Sequence, residues 1–394
     1  MAAETHHDSR PGGVKRGIAT TLSHAGRDPS AFHGFVNPPV VRASTVLFEN
    51  TAAMLDRTGN RYPYGLTNTP TIEALVSALN ELEGAAGTVL VPSGLAAVTT
   101  AILAVARAGT DILIPDNVYG PTRRFCDESL PALGMTTRYY DPMRLDALAG
   151  LMANVSSVFI EAPGSVTFET PDIPAIVALA KQHGATTMID NTWSTPLIYR
   201  PLEHGVDMVI HAGTKYLAGH SDLLIGTISA GEAAWPALKQ MHKNLGLQAG
   251  TEEIWLTLRG LRTMGLRLDR HERSALDVAK WLGARPEVAR VLHPALPGCP
   301  GHEFWKRDFG RSTGLFGFVL RGDLDQAARF LDTLKLFGLG YSWGGFESLA
   351  VLGELTESRT VQRWTEGPVI RLHIGLEDPA DLMADLSAGF AAMG

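Results

Sequence analysis

Cysteine is scarce in this sequence: Cys126 and Cys299 are the only two in 394 residues, and neither belongs to a CxxC pair. That excludes a disulfide framework and points to a reducing, cytoplasmic setting. An excess of basic residues is also missing. The formal net charge is −7, and no Lys/Arg cluster is interleaved with aromatics, which argues against a nucleic-acid partner. No long apolar run goes uninterrupted. The uncharged stretch from Thr88 to Ala106 is broken by Pro92, Ser93 and Gly94, so it reads as a strand, a turn and a core helix rather than a membrane span. The first residues, MAAETHHDSRPGGVKRG, contain no apolar core of a secretory signal, and His6 and His7 read as part of a polar leader rather than as metal ligands. Internal repeats and low-complexity tracts are absent too.

What is present is ordinary globular composition, 45% hydrophobic and 19% charged, enough for a large core and two domains. Residues 1–66 are rich in Pro, Gly, Asn and Ser with little period, and predict an extended arm that lies on something, often a second subunit. From 67 to 261, short apolar runs alternate with helical patterns. In TIEALVSALNELEG, Ile72, Leu75, Leu79 and Leu82 recur at spacings of three and four, and Gly84 is a stop signal. TVLVPSG, DILIPDNVYG, SVFIEAPGS, TTMIDNT, DMVIHAGTK and DLLIGTISA read as strands running into polar turns. Strands separated by helices imply a mostly parallel sheet covered by helices, with ligands bound beyond the strands' carboxyl ends. Residues 252–283 read as one long helix, leading into a smaller α+β domain over 262–394.

The polar clusters sit at those strand ends. Lys215 follows MVIHAGT and precedes YLAGHSD. A lysine so flanked is expected to be partly desolvated, which favours its neutral, nucleophilic amine. Asp190 ends TTMID; alone it reads as a cap on the turn that follows. Together the two suit one cofactor, pyridoxal 5'-phosphate, which needs a lysine for its aldehyde and an anion opposite its ring nitrogen. A phosphate site is offered by Ser93, Gly94 and Leu95, between a strand and a helix N-terminus. Thr214 can add a hydroxyl. Tyr119 can stack on a ring or be an ordinary loop tyrosine.

DNTW followed by HAGTKYLAGHSD resembles the pyridoxal-phosphate enzymes of cysteine and methionine metabolism, of fold type I. The likeness runs from about Arg42 to the C-terminus. It is greatest to the trans-sulfuration branch that carries out β-elimination, the cystathionine β-lyases, through ELEG, PSGLAAV, EAPGS, HPALPG, GHEFWKRDF, YSWGGFESL and IRLHIGLED. The resemblance implies that Lys215 joins the cofactor aldehyde, Asp190 faces the pyridine nitrogen, and Tyr119 stacks on the ring. It implies phosphate contacts from Gly94, Leu95 and Thr214, and from Tyr64 toward the neighbouring subunit's cofactor. Arg371 is implied to grip the substrate α-carboxylate, with Ser342 and Trp343 beside the lysine and substrate.

One departure stands out. Relatives commonly place arginine two residues after that tyrosine, whereas this chain has Leu66. Weaker cofactor retention than in arginine-bearing relatives is expected, with Arg61 a nearby substitute whose position the sequence does not fix. The resemblance implies α,β-elimination on L-cystathionine, giving homocysteine, pyruvate and ammonia, with cystine or other cysteine S-conjugates as further substrates. The alternatives are γ-chemistry (γ-lyase, γ-synthase or acyl-homoserine sulfhydrylase), against which Trp343 and Ser165 argue, and a non-catalytic binding module. A dimer is the expected minimum and a homotetramer the family's usual state. Trp193, His211 and His220 have no assigned role.

Overall fold

The structure is a computed structural model that describes residues 16–56, 59–353, 355 and 359–394. The leader carrying His6 and His7 lies outside the described residues. Seven strands form the first sheet: β1 (Gly87–Val91), β2 (Asp111–Pro115), β3 (Thr136–Tyr140), β4 (Val155–Glu161), β5 (Thr186–Asp190), β6 (Met208–Ala212) and β7 (Gly226–Ala230). Their spatial order is β1-β7-β6-β5-β4-β2-β3. β3, β2, β4, β5 and β6 run parallel, and β7 runs antiparallel to both β6 and β1. The reversal at β7 follows from its connection: residues 213–225 turn directly back instead of crossing over through a helix.

Helix signals in the sequence correspond closely to helices. Pro70–Glu83 carries Thr69 as N-cap and stops at Gly84, whose φ is +70°. The Thr88–Ala106 stretch is β1, a turn and the helix Gly94–Val105; among the described residues, no helix is long and apolar enough to cross a membrane. β3 was not predicted. Its TTRYY run lies at the sheet edge, and only Tyr140 is fully buried, so it lacks the apolar signature of its neighbours.

The second sheet holds five strands: β8 (Val288–Leu292), β9 (Leu315–Leu320), β10 (Gly338–Leu339), β11 (Leu349–Gly353) and β12 (Val369–His373), in the order β10-β11-β12-β9-β8. One 33-residue helix, Thr251–Gly283, runs past both sheets. Its first half packs with Leu75, Leu79 and Leu217, and its second half with Phe316, Phe318 and Ile370 of the second sheet. The expected domain boundary at 261/262 falls inside it.

The arm is less detached than its composition suggests. Its helix Ile18–His24 buries Leu22 in the same cluster as Leu75 and Leu261, and Arg262 donates to the Leu22 and Ala25 carbonyls at 2.6 and 2.9 Å. Trp193 ties the two sheets: its indole N–H donates to the Leu315 carbonyl at 2.9 Å, and its ring meets Phe309 edge-on. Both cysteines are free and buried.

Candidate active site

Polar side chains from both sheets meet beyond the carboxyl ends of β5 and β6. Lys215 lies in the turn after β6, its N–H donating to the Ala212 carbonyl at 3.0 Å. Its Nζ donates to Ser342 Oγ at 2.6 Å and stands 5.2 Å from the centre of the Trp343 ring. Burial, and then the nearby charge of Arg371, bring the Lys215 pKa down to about 8. The desolvation expected from its apolar flanks is therefore present.

Arg371, on β12, donates to the Ser342 carbonyl at 3.1 Å. Among the described residues that is the one hydrogen bond of its side chain, and burial lowers its pKa to about 10. A partly buried guanidinium with a single carbonyl partner is short of an anion. Ser342 thus joins both groups, its hydroxyl on the lysine and its carbonyl on the arginine. It does so in a left-handed backbone conformation, φ +82°, that a non-glycine residue seldom adopts.

Asp190 ends β5. Its Oδ1 accepts from the Thr192 amide at 2.9 Å and from the Thr192 hydroxyl at 2.5 Å, while Oδ2 accepts no hydrogen bond among the described residues. Burial outweighs these bonds and raises the carboxyl above its ordinary value. Glu161, which ends β4 and faces Asp190 in register, is raised well above the carboxylate range by burial and then by the charge of Asp190. Its Oε2 accepts the Tyr119 amide at 2.8 Å. Tyr119 follows β2 and is 46% exposed; burial of its inner part raises its hydroxyl pKa.

The Gly94–Val105 helix points its N-terminus at the same place. Ser93 accepts from the Ala96 amide, leaving the Gly94 and Leu95 amides ahead of the first intrahelical acceptor. A Cβ on Gly94 would lie 2.5 Å from Ala212 Cβ, so this approach requires glycine. The Thr214 hydroxyl is engaged in its own turn, accepting from Ile225 N–H at 3.0 Å and donating to the Ile225 carbonyl at 3.3 Å.

Other expected residues lie apart. The Tyr64 hydroxyl meets Ser44 at 3.4 Å, and no hydrogen bond links it to Lys215, Asp190 or Arg371. Arg61 is held by Glu73 at 3.0 Å, so it is not a free substitute within the chain for arginine at Leu66. His220 bonds the Ala218 carbonyl. Sequence patterns missed Thr192 as the support of Asp190, and also His373, whose Nε2 accepts the Gly344 amide at 3.1 Å and steadies the Ser342–Trp343 loop. The signal for His373 was its spacing: residues 371 and 373 share one face of a strand.

The family model for the Cys/Met metabolism PLP-dependent enzymes matches residues 19–391. A protein of Rhizobium johnstonii, provisionally named a cystathionine β-lyase, is 56% identical over 382 residues, covering 95% of this chain and 96% of its own. The cystathionine β-lyase MetC of Escherichia coli is 44% identical over 387 residues, 95% and 98% of the two chains. Among solved structures, a cystathionine γ-synthase from Xanthomonas oryzae pv. oryzae, in complex with aminoacrylate and cysteine, superposes with a TM-score of 0.90 at 31% identity, covering 96% of this chain and 99% of that one. Matched by that family model over residues 19–391 and 44–56% identical to these two relatives over 95% of its length, the chain belongs to the pyridoxal-phosphate-dependent enzymes of cysteine and methionine metabolism.

Proposed function

We propose that this protein cleaves the Cβ–S bond of L-cystathionine by α,β-elimination, releasing homocysteine, pyruvate and ammonia, and acts on cystine or related cysteine S-conjugates by the same route. The observation that carries this is Ser342: one residue bridges the Lys215 amine and the Arg371 guanidinium, so a base and a carboxylate grip are fixed a residue's width apart.

The residues suit pyridoxal phosphate. Asp190 Oδ2 is without a donor in a setting that disfavours an isolated charge, which a protonated ring nitrogen would relieve. The amides of Gly94 and Leu95 await an anion, and the Thr214 hydroxyl can turn its proton from Ile225 toward a phosphate. Tyr119 stands over the cleft with its backbone fixed by Glu161. When bound, the cofactor would supply an aldehyde for the substrate amine and a sink for the electron pair left at Cα.

The chain supplies the rest. Arg371 holds the α-carboxylate, for which its planar fork is suited, and so fixes the substrate's orientation. Lys215 Nζ, steered by Ser342 Oγ, removes the proton from Cα; its pKa near 8 suits a base at neutral pH. Asp190 keeps a proton on the ring nitrogen. Trp343 and Tyr119 wall the substrate side. The thiolate leaves from Cβ and takes up a proton, and water hydrolyses the three-carbon remainder to pyruvate and ammonia.

Self-association completes the proposal. The Tyr64 hydroxyl has no partner at this subunit's own cleft, which supports its serving a neighbour's phosphate in a dimer or a tetramer of dimers; Leu66 then presents no guanidinium there. The test is product identification with cystathionine, cystine and methionine side by side. Pyruvate from cystathionine is expected; 2-oxobutyrate instead would overturn the β-elimination assignment in favour of γ-chemistry.

A further inference from the structure

A buried acid–histidine pair lies outside the chemistry described so far. Glu83 closes the Pro70–Glu83 helix, and His211 is the fourth residue of β6. Neither has exposed surface, and Glu83 Oε1 meets His211 Nε2 at 2.6 Å. Packing two ionisable groups in a core is costly, and apolar residues of similar volume would serve stability as well. Each partner also keeps one buried atom, Glu83 Oε2 and His211 Nδ1, without a hydrogen bond among the described residues. So incompletely satisfied a pair argues for a task other than stability.

The pair sits one residue before the junction of the site. Ala212 N–H donates to Thr192 Oγ1 at 2.9 Å, and that hydroxyl donates to Asp190 Oδ1. The Ala212 carbonyl accepts the Lys215 amide, and Ala212 Cβ is the wall against which Gly94 closes. One residue therefore touches the supports of the nitrogen site, the lysine turn and the helix N-terminus together. β5 lies on one side of β6, with Asp190 paired to Ile210, and β7 on the other, with Thr227 paired to His211.

We propose that Glu83 and His211 are a positioning pair for the cofactor's nitrogen site: they pin the end of β6, and Ala212 passes that position through Thr192 to Asp190. This rests on the assignment of Asp190 to the ring nitrogen. His211 also acts on Asp190 electrostatically in the same sense, lowering its pKa against the effect of burial, as Lys215 does. A change at Glu83, remote in sequence, is thereby transmitted to the group that holds the pyridine proton.

The experiment compares wild type with Glu83→Gln, His211→Gln, Thr192→Val and Thr192→Ser. Retention of pyridoxal phosphate is measured by equilibrium dialysis, alongside kcat and KM. Retention is expected to fall about 10- to 100-fold in Glu83→Gln, His211→Gln and Thr192→Val, as when outer partners of a bound group are removed. In these variants kcat should fall more than KM changes, and Thr192→Ser should restore both. Wild-type retention and an unchanged kcat/KM split in the folded pair variants would overturn the proposal and leave the pair structural. Should the pair variants not fold, the imidazole nitrogen resonances of His211 in the unaltered protein decide: they move on loading with pyridoxal phosphate if the pair is coupled to the site, and their constancy overturns the coupling. A wild-type protein that took up no pyridoxal phosphate would instead overturn the site assignment itself.

Discussion

The two sheets contribute to the cleft in different ways. On the seven-stranded side, Asp190 and Lys215 follow strands buried on both faces, and each is supported by further bonds: Thr192 and Ala212 behind the aspartate, Ala212 beneath the lysine. On the five-stranded side, Arg371 is anchored in a strand but reaches the cleft through one carbonyl, that of Ser342, in a loop held at a strained φ and steadied by His373. Over-determined supports suit groups that must hold a cofactor through every turnover. A grip with one internal partner suits a group whose true partner arrives with each substrate. On the proposed assignment, the cofactor side is built to persist, and the substrate side to be completed.

That contrast can be broken most severely at Lys215. Lys215→Ala should abolish turnover and remove the visible absorbance that the wild type gains with pyridoxal phosphate; persistence of that band would contradict the assignment. Arg371→Lys should separate the two sides. Its cofactor loading should match wild type, while kcat/KM drops about 30-fold or more, because a point charge does not replace a planar fork against a buried carboxylate. Loss of cofactor in that variant would mean that the two sides are not separable.

The smallest effect is one of pH on loading. The Lys215 pKa lies near 8 rather than at the usual lysine value, so its neutral, capturing form predominates above about pH 8. The rate at which cofactor-free protein gains its visible band should therefore rise about tenfold per unit below pH 8 and level off above it. Because the Arg371 charge contributes to the lowering, Arg371→Gln should move that midpoint upward. A rate still climbing through pH 9.5 in the wild type would show the lysine to be solvated.

Much of this was legible in the sequence because it is local. A strand's apolar run, the stop at Gly84 and the helix of residues 251–283 depend on periodicity and capping within a few residues, and Lys215 and Asp190 announce themselves by interrupting such runs. What was not legible depends on topology. Glu83 and His211 are 128 positions apart, and Ser342 meets Lys215 across 127. No local pattern specifies those meetings. Glu83 did leave a trace: it stands four residues after Leu79, on the buried row of its helix, where a carboxylate has to find a partner. Trp193, which the sequence left without a role, bonds Leu315 in the second sheet. β3 was hidden by its edge position and polar composition.

The long helix has a consequence for what the cleft can accept. At Gly260 it lies against the Leu217 and Ala218 carbonyls, so closely that a Cβ would come within 2.5 Å of both, and at His271 it donates to the Ile374 carbonyl just past β12. Eleven residues separate these contacts, about 16 Å of unbroken helix. The lysine turn and the arginine strand are therefore set on one rigid spacer, which in the proposed reaction would make the distance from base to carboxylate grip a fixed gauge. On that proposal, substrates would be sorted at this gauge by their common amino-acid head, with variation among them left to the thioether's far end.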